Sequence, residues 1–116
     1  MTESIKALQD LDLDVQESIL RRFKHLLNER VSLEQVILFG SRARKDADPD
    51  SDMDLVVILS DSADEGDREK VSDCAWEAGF DHGIVLVPIV FTKSEWQGPE
   101  RYSLLAQAVL SEGITV

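Results

Sequence analysis

The sequence predicts an α/β (α+β) protein: a small mixed β-sheet of three or four strands with helices mainly on one face. Three observations predict it. Helical and strand patterns alternate in the order helix, strand, turn, strand, helix, strand, helix. The run Met53 to Leu59 is apolar on both sides past an acidic start, as a strand buried on both faces must be. A shorter apolar run, Val36 to Phe39, stops at Gly40-Ser41 and so places a tight turn ahead of that strand. At 116 residues the chain, 1–116, has the length of one domain, able to bury roughly two thirds of its unfolded surface.

The first helical signal is divided. Residues 1 to 11 read as a short helix, after which Asp12 or Asp14 caps a longer one ending near Arg30. Val15, Ile19, Phe23, Leu26 and Leu27 form its apolar stripe. Arg21, Arg22, Lys24 and His25 occupy the other side, a solvated face rather than a docking surface for an acidic partner or RNA.

The strand at Val36 ends where Gly40 lets the backbone turn sharply and Ser41 can cap a helical turn. Backbone N–H groups opening the turn from Ser41 to Lys45 would point at an anion, and the Ser41 hydroxyl adds a donor. Ten residues separate Ser41 from Asp52. On a strand at ~3.3 Å per residue, Asp52 and Asp54 share one face about 7 Å apart. Val56 and Ile58 continue that face, while Met53, Leu55, Val57 and Leu59 fill the other. Two convergent carboxylates behind a phosphate cradle suit Mg²⁺ (or Mn²⁺), since a hard cation takes one or two carboxylates plus substrate phosphates. Asp46, Asp48 and Asp50 add further charge just upstream. Such a cluster entering a buried strand costs self-repulsion and desolvation unless a cation offsets it, with Arg42 and Arg44 compensating in part. A calcium loop of EF-hand type is excluded, because its sixth and twelfth positions, counted from Asp46, hold Ser51 and Val57 instead of Gly and Glu.

Beyond the second strand, Ser60 to Gly66 is a polar loop leading into a helix from about Asp64 to Ala78, with Val71, Ala75 and Ala78 inward and Gly79 as its stop. Cys74 reads as a small core residue, since no flanking His or Arg favours a thiolate. Trp76 fits packing at the edge of the core better than an interface. Gly83 to Phe91 is the third strand, and Pro88 inside it marks an edge or a bulge. Thr92 and Ser94 open a helical turn holding Glu95 and Trp96, which Gly98-Pro99 breaks. A last helix from about Glu100 to Leu110 precedes a short Ile-Thr-Val strand.

Twelve basic and 23 acidic residues give a net charge of −11, which opposes tight unaided binding of nucleic acid. The single cysteine cannot form an internal disulfide, and neither a signal peptide nor a spanning segment is legible, so a soluble, cytoplasmic protein without a membrane partner is expected.

Gly40-Ser41, ten residues and then Asp52-Met53-Asp54 resemble the G-S-x(n)-D-x-D signature of the DNA polymerase β-like nucleotidyltransferase superfamily. The wording Phe39-Gly-Ser-Arg-Ala-Arg, with Asp48-Pro-Asp-Ser-Asp-Met-Asp-Leu, is similar to its minimal nucleotidyltransferase (MNT) domains, which often occur beside HEPN-type helical partners. The resemblance implies the polymerase β-like fold and Mg²⁺-dependent transfer of a nucleotide monophosphate from an NTP to a hydroxyl on a protein, RNA or small molecule. It implies that Asp52 and Asp54 hold the metal and act in catalysis, that Gly40 and Ser41 hold the β- and γ-phosphates, and that Arg42, Arg44 or Lys45 neutralise the triphosphate. The alternative it implies is a catalytically weak MNT-like antitoxin or partner subunit that binds a HEPN-type protein, and a homo-oligomer is compatible with either. Two positions depart from the family pattern. Lys45 stands where Gly is usual, and the segment from Gly83 to Phe91 lacks the third carboxylate, for which Asp81 substitutes only in an unusual register.

Overall fold

Strand β2 (Met53–Leu59) lies inside a four-stranded mixed sheet. Strand β1 (Leu33–Phe39) pairs with it antiparallel, β3 (Leu86–Thr92) pairs with it parallel, and the two-residue β4 (Ile114–Thr115) adds antiparallel to β1, giving the order β3-β2-β1-β4. This computed structural model describes residues 2–44, 48, 51–98 and 104–116, with side chains from Leu13 onward, Leu104 excepted. Pro99 and Glu100, where the sequence breaks one helix and starts the next, lie outside the described residues, as do Lys45, Asp46 and Asp50.

The main core lies between the sheet and two long helices, α1 (Thr2–Arg30) and α3 (Glu65–Phe80). Ile19, Phe23 and Leu27 of α1 meet Val36 and Leu38 of β1, Met53, Leu55, Val57 and Leu59 of β2, and Val71, Ala75 and Ala78 of α3. Burying a side chain of this size stabilises by about 1.5–3 kcal/mol. The other sheet face carries a smaller cluster, Ile37, Val56 and Ile58, covered by Trp96 of the short α4 (Lys93–Gln97) and by Leu105 and Val109 of α5 (Leu104–Glu112). The alternation expected of β2 is therefore realised, with one set of side chains in each layer. Arg21, Arg22 and His25 face solvent, whereas Lys24 reaches across and donates from Nζ to the Val116 carbonyl at 2.7 Å, tying α1 to the end of the sheet. Among the described residues no helix is long and apolar enough to cross a membrane.

Several boundaries differ from the sequence reading. Helix α1 runs without a break through Asp12 and Asp14, because Asp costs only about 0.7 kcal/mol in a helix interior and no Gly or Pro interrupts the segment. Strand β1 starts earlier, at Leu33, with a bulge between Leu33 and Gln35. Helix α3 is opened by a reciprocal cap: Asp64 Oδ1 accepts from the Asp67 N–H at 3.0 Å, and the Asp64 N–H donates to Asp67 Oδ2 at 3.1 Å. Its end is not set by Gly79, which lies inside the helix. The left-handed residue is Gly83, φ 64°, and the chain returns so closely that the Ile84 N–H donates to the Gly79 carbonyl at 3.1 Å. The third strand consequently starts at Leu86 rather than at Gly83. Cys74 is fully buried, and burial pushes its thiol up even though Arg30 Nη1 stands 3.9 Å from Sγ. Trp76 is not at the core edge: it is 66% exposed, on the outward side of α3, and stacks on the equally outward Phe80.

Gly79 is glycine for reasons of space, since a Cβ there would overlap the Ile84 carbonyl oxygen and press on Leu86 Cδ1. Gly79→Ala should therefore lower stability by about 1–3 kcal/mol, the usual cost of overpacking, instead of gaining from the better helix former. Urea unfolding of the two proteins measures it, and equal midpoints would mean that the 79–86 turn relaxes freely.

Candidate active site

The geometry of the site follows from the register between β1 and β2. Phe39, the last residue of β1, is paired with Asp54, so Gly40 lies directly against the Asp54 carboxylate. A Cβ on Gly40 would stand 2.6 Å from Asp54 Oδ2. Gly40 also has φ 75°, in the left-handed region. The left-handed backbone favours glycine at this position, and any side chain there would also have to displace the Asp54 carboxylate. The turn continues into α2 (Ser41–Arg44), whose Arg44 N–H closes on the Gly40 carbonyl at 3.1 Å, and it holds Ser41 half-buried beside the strand end. The predicted phosphate cradle and Asp54 are accordingly adjacent in space.

Asp54 is half-buried and directed to the face of the smaller cluster, while Asp52 is exposed just before the strand. Burial holds the Asp54 carboxyl above the usual carboxylate range; the Asp52 charge adds to this and Arg44 opposes it. The two acids therefore oppose each other's charge, which a cation bound between hard oxygen donors would offset.

The two arginines differ. Arg44 is exposed and its Nη1 pairs with Glu112 Oε2 at 2.9 Å, bringing the end of α5 to the site. Arg42, grouped by the sequence with the groups facing the triphosphate, is turned inward and only 5% exposed. Its Nε and Nη2 donate to the Ser51 carbonyl at 3.0 and 2.7 Å, and its Nη1 to Gln16 Oε1 of α1 at 3.2 Å. It thereby fixes the residue that immediately precedes Asp52. Sequence reasoning missed Gln16, Ser51 and Glu112, because a partner 26 or 68 residues away leaves no periodic signal. The exposed Asp48 enters this loop through its carbonyl, which accepts from the Ser51 N–H at 3.0 Å.

On β3 the residues paired with Asp54, Val56 and Ile58 are Val87, Ile89 and Phe91. The strand thus offers no third carboxylate beside Asp54, and Asp81 caps the C-terminus of α3 in the layer over the opposite face. Among the described residues no cluster of three or more His, Cys, Asp or Glu that could hold a metal ion forms.

Residues 20–101, which contain the turn and both carboxylates, match the nucleotidyltransferase domain family. The chain belongs to that family. It is 30% identical over 78 residues to a Methanocaldococcus jannaschii protein named as a protein adenylyltransferase, a match covering 66% of this chain and 79% of the relative. Among solved structures it is similar to a toxin-antitoxin complex with AMP-PNP, at 20% identity and a TM-score of 0.58 over 82% of this chain and 69% of that one. A second likeness is to the Shewanella oneidensis complex of a tri-AMPylated HEPN toxin with an MNT antitoxin, at 20% identity and a TM-score of 0.53, covering 87% and 70% of the two chains. A Sulfolobus solfataricus protein named as a nucleotidyltransferase aligns at 22% identity with a TM-score of 0.50, covering 87% and 84%. At these identities the structures establish the nucleotidyltransferase fold.

Two outcomes test the site. Gly40→Ala should lose about 1–3 kcal/mol of stability, the scale of local backbone strain, and should displace the Asp54 carboxylate, so that urea unfolding and nucleotide titration both register it. The second concerns pH in EDTA. Because folded Asp54 binds its proton at higher pH than the unfolded carboxyl does, its ionised form opposes folding above that raised value, and stability recovers as pH falls through it. Asp54→Asn should hence melt at or above the unmodified protein at pH 7, and this advantage should shrink on acidification; a variant melting well below it at pH 7 would make Asp54 a structural residue.

Proposed function

We propose that this chain moves a nucleotide monophosphate from an NTP, most simply AMP from ATP, to a hydroxyl of a protein, RNA or small molecule. The observation that supports the reading is the contact of Gly40 with Asp54, by which a turn that would bind phosphate and a carboxylate lie within one ligand's reach. The acceptor oxygen attacks the α-phosphorus, a phosphate ester forms, the α–β phosphoanhydride breaks and pyrophosphate leaves. The hydroxyl proton passes to water, as no third carboxylate stands with Asp52 and Asp54 among the described residues.

Asp52 and Asp54 would hold Mg²⁺ or Mn²⁺, which when bound supplies charge stabilisation at the phosphates. The donor set fits: two neighbouring acids, one of them held above its ordinary range by burial and further by the charge of the other. Gly40 and Ser41 hold the β- and γ-phosphates, and Arg44 faces the same charge from its bridge to Glu112. Arg42 acts by positioning, through the Ser51 carbonyl. Residues 1–116 act as one domain in this reading, and the reduced, buried Cys74 suits a cytoplasmic setting.

The β3 positions Val87 and Ile89 favour a second reading, a catalytically weak subunit that binds a HEPN-type protein. The fold likeness to the MNT antitoxin complexes supports it. In such a pair the partner can itself be the acceptor.

Incubation with labelled NTPs and Mg²⁺ or Mn²⁺, with and without a HEPN-type protein, should place label on an acceptor, and Asp52→Asn or Asp54→Asn should abolish it. No label with any NTP would sink the enzyme reading. Metal at a hundred times its dissociation constant should stabilise the unmodified protein by about 2.7 kcal/mol and Asp54→Asn by far less, read as melting temperature. Ser41→Ala should weaken NTP binding by roughly fivefold, the equivalent of one hydrogen bond of about 1 kcal/mol, without changing the melting temperature of the free protein.

A further inference from the structure

Away from the site, α3 carries a surface that its own fold leaves uncovered. Glu65, Glu69, Asp73, Trp76 and Phe80 are all exposed and recur at spacings of four, four, three and four, so they form one outward stripe. Its first half is carboxylate and its second half aromatic. Trp76 and Phe80 are 66% and 63% exposed, and their rings stack at 4.6 Å. Beside the rings, a groove of about 500 Å³ opens between α3 and β3, floored by Ala75, Leu86 and Pro88 and rimmed by the exposed Val85. Exposed stacked rings beside an apolar groove suit an interaction site.

The edge of β3 is unsuited to an added strand. Pro88 has no N–H to give, the Val90 carbonyl accepts from Arg68 Nη1 at 2.9 Å, and the Thr92 N–H is taken by Glu95 Oε1 at 2.9 Å. An occupant would therefore engage this surface through its side chains, which a helix lying in the groove can do. The charge of the stripe selects its chemistry. The bases of α3 are engaged elsewhere, Arg68 by Val90 and Glu95 and Lys70 by Asp67 at 3.7 Å, so the face beside the rings is acidic. A second copy of this chain would bring the same carboxylates and another net charge of −11.

We propose that the outward stripe of α3, with the groove against β3, docks a basic amphipathic helix of a partner protein, its apolar residues on Trp76, Phe80 and the groove and its Lys or Arg residues on Glu69 and Asp73. The surface is one strand from the candidate site, since Leu86 at the groove floor is paired with Met53 and Val87 with Asp54. It does not depend on nucleotidyl transfer, and its residues are not among those that would hold nucleotide or metal.

The probe is a fluorescently labelled synthetic helix of Leu and Lys at matching spacing, titrated with the full chain and read by anisotropy. It should bind saturably and more weakly as salt is raised, whereas a Glu/Leu helix and a Lys/Ser helix without an apolar stripe should not. Trp76→Ser should weaken binding by about tenfold or more, as loss of a central aromatic anchor does. Glu69→Lys with Asp73→Lys should transfer the preference to the Glu/Leu helix. Equal binding by Trp76→Ser, or by the Lys/Ser helix, would overturn the proposal. So would sedimentation showing a dimer that Trp76→Ser dissociates, which would make a second copy the occupant. Trp76→Ser should retain the urea midpoint and the stabilisation by metal and NTP, so failure here and failure of the transferase reading register separately.

Discussion

The pairing of Phe39 with Asp54 is the constraint on which the site depends. It joins the end of one strand to the start of its antiparallel neighbour and leaves the next residue, Gly40, pressed on a carboxylate. A slip of one residue would exchange every side chain between the two layers, sending Asp54 into the main core and Leu55 toward the site. The apolar alternation of β2 therefore does more than build a core. It holds Asp54 on the face that meets the Gly40-Ser41 turn, and the buried mass of Met53, Leu55, Val57 and Leu59 makes the alternative register costly.

Charge around this point is arranged in two shells with different tasks. The charges of Asp52 and Arg44 both act on Asp54 at the rim, and Arg44 is paired with Glu112, so its guanidinium ties the last helix to the site. The pair is partly exposed and contributes little to stability by itself. Arg42 lies deeper. A nearly buried guanidinium is tolerable only when its donors are met, and the Ser51 carbonyl and Gln16 amide oxygen meet them. One residue of the Ser-Arg-Ala-Arg turn thus anchors the acidic loop to α1 while another, two positions on, addresses solvent and α5. Helical spacing explains the difference, because residues two apart project to different sides of a turn.

The two edges of the sheet are handled differently. At one end β4 is short, and its neighbour Val116 is secured to β1 through the Val36 carbonyl at 2.9 Å and to α1 through Lys24. At the other end β3 is protected by a proline and by side chains that occupy its backbone groups. The stacked rings above that edge are the exception to an otherwise polar surface on α3, and their exposure follows from position alone, since the inward stripe of Val71, Cys74, Ala75 and Ala78 already fills the space against the sheet.

The sequence by itself determined the order of elements, the double burial of β2 and the candidate residues of the site. Each of these rests on short-range pattern: alternation at period two, a Gly-Ser break after an apolar run, and two Asp residues two apart at a strand start. It also determined that the third acid is missing from β3, a matter of composition that the fold did not change. Tertiary structure decided what local pattern cannot encode. Gly40 and Asp54 are fourteen residues apart, and their contact exists only because β1 and β2 pair in one register. The inward turn of Arg42 depends on Gln16 and Ser51, the tie of Arg44 on Glu112, and the outward place of Trp76 on which side of α3 the sheet occupies. Helix boundaries moved for the same reason: continuous packing carried α1 through Asp12 and Asp14, and the close return of Ile84 made Gly79 a point of contact instead of an end. Propensities of a few tenths of a kcal/mol per residue give way when packing contributes about 1.5–3 kcal/mol per buried side chain.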